Sequence, residues 1–294
     1  MRGVTKGLAS DSNDEETTDA TGLTAFGADG FTVGSGVNYS DTTGDGMVAW
    51  CWKAGGSGSS NEDGSINTTA TSANVTAGFS ISTYTGNGTG GATVGHGLSK
   101  APNLVIIKNR SDAGTGWPIG SIQPIGSMDF TDYLDLNGVI AVTDEAALFH
   151  DTAPTSSVVT ISTGYWVNTN TKNYVMYCWH NVEGFSKIGS YVANGNADGP
   201  FVYTGFRPKF LMFQAMSTTA NWAMIDTARE PYNPSIKEGP YAETTAAESG
   251  TTYYKDILSN GFKLRNTGGG FNSSTNTYIY FAFAEHPFKY TTAR

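Results

Sequence analysis

Pro102-Asn-Leu-Val-Ile-Ile-Lys108 and, 106 residues later, Pro208-Lys-Phe-Leu-Met-Phe-Gln214 are short apolar runs, each opened by proline and bounded by polar residues. Periodicity alone does not separate such a run from a buried helix. Its length favours a strand buried on both faces. Two strands of that kind, in register with one another along the chain, predict two cores built to one plan.

The likeness extends on both sides of these runs. Gly78-Phe79-Ser80 recurs as Gly184-Phe185-Ser186, and Tyr84 with Asn87-Gly88 recurs as Tyr191 with Asn194-Gly195. Trp117 matches Trp222, and Thr163-Gly164-Tyr165-Trp166-Val167 corresponds to Asn260-Gly261-Phe262-Lys263-Leu264. Each unit closes on an aromatic run, Tyr174-Val-Met-Tyr-Cys-Trp179 and Tyr278-Ile-Tyr-Phe-Ala-Phe283. Offsets held over this distance are the signature of a tandem repeat, here of about 105 residues. A third copy is partial. Asp29-Gly30-Phe31-Thr32-Val33 reads like Asn260 to Leu264, and Met47-Val48-Ala49-Trp50-Cys51-Trp52 reads like a closing strand.

The expected organisation is therefore a partial β unit at 1–53, a linker or edge strand at 54–77, and complete units at 78–183 and 184–294. The partial unit lacks a counterpart of the central strand Leu104 to Ile107. Phe31, Trp50 and Trp52 would then expose apolar surface, and open sheet edges invite pairing. The missing half is expected from an upstream part of a longer protein or from a neighbouring chain by strand donation.

Fold class follows from the local chemistry. The closing runs are rich in strand formers, and Asp-Gly, Asn-Gly and Gly-Gly pairs supply turns with positive φ. Only Asp144 to Phe149 and Glu243 to Ser249 resemble helix. An all-β chain of tandem β-sandwich-like repeats is predicted. Asn61-Glu-Asp-Gly64 reads as a turn leading into an edge strand.

Charged residues are only 15% of the chain, aromatics are 12%, and the net charge is -9. That many rings argues against disorder, and the acidic balance argues against a nucleic-acid partner. No run is long and apolar enough for a membrane helix, and no secretory leader is visible at the start. Neutral polar groups must cover most of the surface.

No motif carries clear chemistry. His96, His150, His180 and His286 do not recur between units, which favours ordinary surface or hydrogen-bonded histidines. Gly86-x-Gly88-x-x-Gly91 matches a dinucleotide fingerprint as a string, but no helix follows it, so a hairpin turn is the better reading. Asp11, Asn13 and Glu15 alternate like a calcium loop without its glycine. Asp41 with Asp45, and Asp129 with Asp132 and Asp135, read as solvated acidic turns. Cys51 and Cys178 occupy one repeat position that Ala282 fills in the last unit, which predicts small, buried, reduced side chains. Trp117 and Trp222 read as framework rings. The insertion at 230–256 carries Tyr232, Tyr241, Tyr253 and Tyr254, and loops on a rigid scaffold are where binding evolves. These four are the receptor-binding candidates, since tyrosine joins an apolar face to a hydroxyl. No catalytic, cofactor or metal residue is expected.

Several motifs together resemble a family of large virion proteins of marine bacteriophages. They are Arg2-Gly3-Val-Thr-Lys-Gly-Leu8, Thr18-Asp19-Ala-Thr-Gly-Leu23-Thr24, Gly30-Phe31-Thr-Val-Gly34 and Val48-Ala49-Trp50-Cys-Trp52-Lys-Ala-Gly-Gly56, with Gly78-Phe79-Ser, Ala101-Pro102-Asn-Leu-Val105 and Ile107-Lys108 beyond them. The resemblance implies a tail-fibre or other structural protein on the particle surface, without catalytic residues. It implies copies of itself as partners, as a homotrimer, together with other virion proteins and a host-surface glycan or protein. Two other classes stay open: a carbohydrate-active depolymerase, which needs two close carboxylates, and a cell-surface adhesin or lectin module.

Overall fold

A computed structural model describes residues 2–36, 39, 46–125, 128–234, 239–248 and 254–286. The described chain is all-β. Two short ribbons come first: β1 (Lys6–Gly7) pairs with β2 (Thr17–Thr18), and β3 (Leu23–Phe26) with β4 (Phe31–Val33). The next strands are β5 (Ala70–Asn74), β6 (Phe79–Thr85), β7 (Ala92–Gly95), β8 (Leu104–Asn109), β9 (Pro118–Ser121), β10 (Asp132–Asp135), β11 (Thr143–Asp144), β12 (Val158–Ile161) and β13 (Asn173–Trp179), with one helical turn, α1 (Ala146–Phe149). The last group is β14 (Ser186–Val192), β15 (Phe201–Tyr203), β16 (Pro208–Ala215), β17 (Ala223–Asp226), β18 (Lys255–Leu258), β19 (Gly261–Leu264) and β20 (Thr277–Ala284).

A seven-stranded sheet has the order β11-β10-β9-β8-β13-β6-β5, and a four-stranded sheet has the order β14-β20-β16-β17. The segment β9-β8-β13-β6 of the first, read backwards, has the connectivity of β14-β20-β16-β17. Each sheet is covered on its outer side by a smaller one, β12-β7 in the first case and β15-β19-β18 in the second.

Strand alternation explains the continuous apolar runs. Successive side chains point to opposite faces. In β8, Val105 and Ile107 enter the core under β7 and β12, while Leu104 and Ile106 face the other way. In β16, Leu211 and Phe213 enter the core under β15 and β19, while Phe210 and Met212 face Leu104 and Ile106 across a shared central core. The two sandwiches are thus packed back to back. Each such side chain, fully buried, contributes about 1.5–3 kcal/mol.

Equivalent side chains fix both sandwiches. Tyr84 stacks on Tyr174 at 5.1 Å and Tyr191 on Tyr278 at 5.2 Å. The Tyr84 hydroxyl donates to the Val167 carbonyl at 2.7 Å, and the Tyr191 hydroxyl to the Phe271 carbonyl at 2.8 Å.

The structure corrects several expectations. Met47 to Trp52 form no strand. Trp50 and Trp52 are half-buried in the seam between the two large sheets. Trp50 packs 5.2 Å from Phe210, and Trp52 lies 5.3 Å from Phe283 and 6.4 Å from Trp179. With no central strand beside them, these rings cover apolar surface of the two complete sandwiches of the same chain. The described residues of 1–53 accordingly form no sandwich of their own. Phe31 is 42% exposed on its ribbon, whereas Phe262, its supposed counterpart, is fully buried.

Within 54–77, the edge-strand alternative describes 70–74, and Ile66 is part of the first core. The counterpart of β19 is β12, which begins six residues before Gly164: Gly91 N–H bonds the Ile161 carbonyl as Gly199 N–H bonds that of Leu264. Gly164-Tyr165 mimicked Gly261-Phe262 by composition alone, and residues 164–167 are a turn. Gly86 to Gly91 is not a hairpin, because β6 and β7 lie in different sheets. Gly88 and Gly91 have φ of +71° and +76°, which this arch requires. Of the two helical expectations, Asp144 to Phe149 yields α1, capped by the Glu145 carboxylate on Ala147 N–H at 3.0 Å. The described residues of Glu243 to Ser249 are not helical, and Ser249 lies outside the described residues.

Candidate binding site

A concave polar surface lies on the second sandwich, where three loops meet. The connection after β16 is pinned by the Gln214 amide, which donates to the Ala220 carbonyl at 2.9 Å. The turn before β20 is organised by Asn272, which is fully buried. Its amide donates to the carbonyls of Asn196 at 2.9 Å and Asn266 at 2.6 Å, and its oxygen accepts from Asn194 N–H at 3.1 Å. A buried amide with its groups satisfied holds a loop as a rigid unit. Tyr241 is fixed beside these loops by a bridge to Ala223.

Together they enclose a pocket of about 320 Å³ lined by Thr218, Thr219, Asn221, Tyr241, Ser273 and Asn276, with the rings of Phe271 and Tyr278 in its walls. Among the described residues the lining holds no carboxylate, ammonium or imidazole. Hydroxyls and amides both donate and accept, and tyrosine adds an apolar face. Such a pocket can hold a neutral ligand rich in hydroxyls.

Of the three tyrosine candidates among the described residues, Tyr241 alone lines this pocket. Tyr232 is 82% exposed, on the segment that Asn233 ties to Ile257 through paired bonds of 2.9 Å. Tyr254 is 40% exposed and its carbonyl accepts Arg265 N–H. Tyr253 lies outside the described residues. Thr218, Thr219, Asn221, Ser273 and Asn276 were missed from the sequence. The available signal was the pair of Ser/Thr/Asn-rich runs at 217–221 and 272–276.

The remaining candidates are occupied structurally or stand alone. His96 is buried, accepts Leu98 N–H at Nδ1 (3.1 Å), and so donates from Nε2 to the Thr155 carbonyl (3.2 Å); burial holds its imidazole below the ordinary range. His150 meets Ser162 at 3.3 Å, His180 is buried, and His286 is exposed. Among the described residues no cluster of His, Cys, Asp or Glu has the arrangement of a metal site. Asp41 and Asp45 lie outside the described residues. Asp132 stands opposite Asp144 across β10 and β11, and burial and the neighbouring Asp129, Asp144 and Asp151 push its carboxyl up. Asp135 is instead directed to the Trp117 N–H at 2.8 Å, and burial raises it too.

Trp117 and Trp222 are both buried, as framework rings should be. Both cysteines are unpaired. Cys178 is fully buried, and burial pushes its thiol up. Cys51 is exposed, contrary to expectation, because the segment carrying it turns its two tryptophans inward.

The model of a family described as a domain of unknown function, DUF7483, matches residues 1–287. The chain belongs to the DUF7483 family. No curated protein and no solved structure matches it. The DUF7483 match takes in the N-terminal segment and both sandwiches, so the pocket beside Tyr241 and the tryptophan-filled seam both fall within it.

Proposed function

We propose that this DUF7483 chain is a non-catalytic structural protein of a bacteriophage particle, a tail-fibre or other surface-fibre component that contacts a neutral glycan through the pocket beside Tyr241. The observation that carries the binding part is that pocket: hydroxyls, amides and rings, with no carboxylate, ammonium or imidazole among its described lining residues, on loops held by a satisfied buried asparagine. The sandwiches behind it share a central core, which suits a load-bearing scaffold. The resemblance of the motifs to virion proteins supports the location.

Mass spectrometry of purified particles tests the location; presence in infected cells with absence from particles counts against it. Glycan-array binding by the purified chain, weakened by Tyr241→Ala and by Asn276→Ala, tests the pocket. Self-association as a homotrimer belongs to the same reading, and the mass in solution tests it.

An adhesin or lectin module on a cell surface is a second reading, favoured by the same pocket. Recovery from uninfected cell envelopes selects it. The depolymerase reading draws no support from this pocket, whose lining has no acid pair. Release of reducing ends from host polysaccharide would revive it.

A further inference from the structure

The seam between the two sandwiches contains an apolar cleft of about 380 Å³. Ile81, Leu104, Met212, Met224 and Phe281 are among its walls. A mouth of about 420 Å³ adjoins it, and the two share the rings of Trp50, Trp52, Phe79, Phe210 and Phe283. The exposed lining of this open cleft is mostly apolar, and covering apolar surface with an apolar occupant is favourable. Water fills such a space poorly, because each molecule needs two or more polar partners.

The mouth differs from the interior. Lys53 and Lys209 line it. Lys53 has no ion-pair partner among the described residues, and Lys209 has only a 3.9 Å contact with Glu285. The one carboxylate among the described lining residues, Asp226, is taken by Arg229 at 2.7 Å and by the Trp50 indole at 3.3 Å. Inside, the indole N–H groups of Trp117 and Trp179 are buried with no acceptor.

The geometry points to a binding site for a long-chain fatty carboxylate, its alkyl chain in the cleft and its head group at the lysine-lined mouth. Trp50 and Trp52 sit between the two spaces on a segment without strand pairing, so they can shift to admit the chain. This site is separate from the pocket beside Tyr241.

Calorimetric titration of the full chain with dodecanoate and, in parallel, dodecanol tests it. One dodecanoate per chain is expected, with saturation. Lys53→Glu combined with Lys209→Glu should weaken dodecanoate about tenfold or more and leave dodecanol within about twofold. Ile81→Trp, which fills the cleft, should abolish both while circular dichroism reports a folded chain; Met224→Phe serves if that variant does not fold. Absence of saturable dodecanoate binding to the folded wild type overturns the proposal. So does dodecanoate binding that ignores the lysine reversals, or that survives a folded cleft-filling variant.

Discussion

The indole N–H of Trp222, in the second sandwich, donates to the backbone carbonyl of Asp135, in the first, at 2.8 Å. Trp222 has no solvent exposure. The Gln214 amide reaches the Gly138 carbonyl at 3.2 Å, and Val142 N–H bonds the Met216 carbonyl at 2.8 Å. Apolar burial holds the sheets together without direction. These directional bonds set how the sheets sit on one another.

Trp117 occupies the equivalent place in the first sandwich, yet its indole N–H has no acceptor among the described residues. Trp222→Phe loses a buried bond, while Trp117→Phe removes an unsatisfied donor. Trp222→Phe should therefore cost about 1–3 kcal/mol more than Trp117→Phe. Urea denaturation of the two variants checks the difference, and equal losses would refute it.

Asn168 and Asn272 are fully buried hubs at matching places in the two sandwiches. Asn168 donates to the Thr89 carbonyl at 2.9 Å and accepts Asn87 N–H at 2.9 Å, as Asn272 does with Asn196 and Asn194. Alanine at either place leaves buried backbone groups unpaired and should cost about 2–4 kcal/mol. Asn272→Ala should also weaken glycan binding beside Tyr241, and Asn168→Ala should not. Denaturation and array binding together separate the two effects.

These pairs show what the sequence made legible. Tyr84 with Asn87 and Tyr191 with Asn194 stood out because nearly the same offset joins them as joins β8 to β16. Their partners Asn168 and Asn272 did not, since an isolated asparagine carries no local pattern. The two-faced burial of β8 and β16 was readable from composition. What covers the second face was not, because an apolar run does not name its neighbour. Met47 to Trp52 carries the pattern of a closing strand but lacks the backbone partners that make one, and pairing is a tertiary event. Tyr241 was found through its residue type. The hydroxyls and amides around it come from loops distant in sequence, brought together only by the sheets.

Lys108 is buried in β8, and its ammonium donates to the Thr115 carbonyl at 2.6 Å beside the Trp117 ring. Gln214 holds the equivalent place in β16 without a charge. Burial pulls the Lys108 pKa from 10.5 down to about 8. Between those values the unfolded chain keeps a proton that the folded chain has lost. Stability from this group therefore rises with pH across that window, by up to about 1.4 kcal/mol per pH unit. Below pH 8 both states are protonated and the slope vanishes. Thermal midpoints of wild type and Lys108→Gln, compared from pH 7 to 10, should diverge with the wild type gaining. Parallel curves would refute the assignment.

Cys51 and Cys178 give an independent view of the seam. Cys51 lies between Trp50 and Trp52 and is exposed, whereas Cys178 is enclosed in β13 between two layers, with its thiol pushed up by burial. Only a thiolate attacks a disulfide reagent at a useful rate, so burial protects Cys178 both by blocking access and by disfavouring its thiolate. At pH 8 an aromatic disulfide should modify one thiol per chain promptly, and the second only in denaturant. Peptide mapping should place the prompt label on Cys51. Trp52→Ala should loosen residues 46–54 and hasten their proteolysis, because the backbone there has no strand partner to hold it. Cys178 should stay protected, since its layer is closed by β7 and β12. Prompt labelling of Cys178 in that variant would mean that the seam segment supports the first sandwich itself, and would overturn this account of the two layers as separately closed.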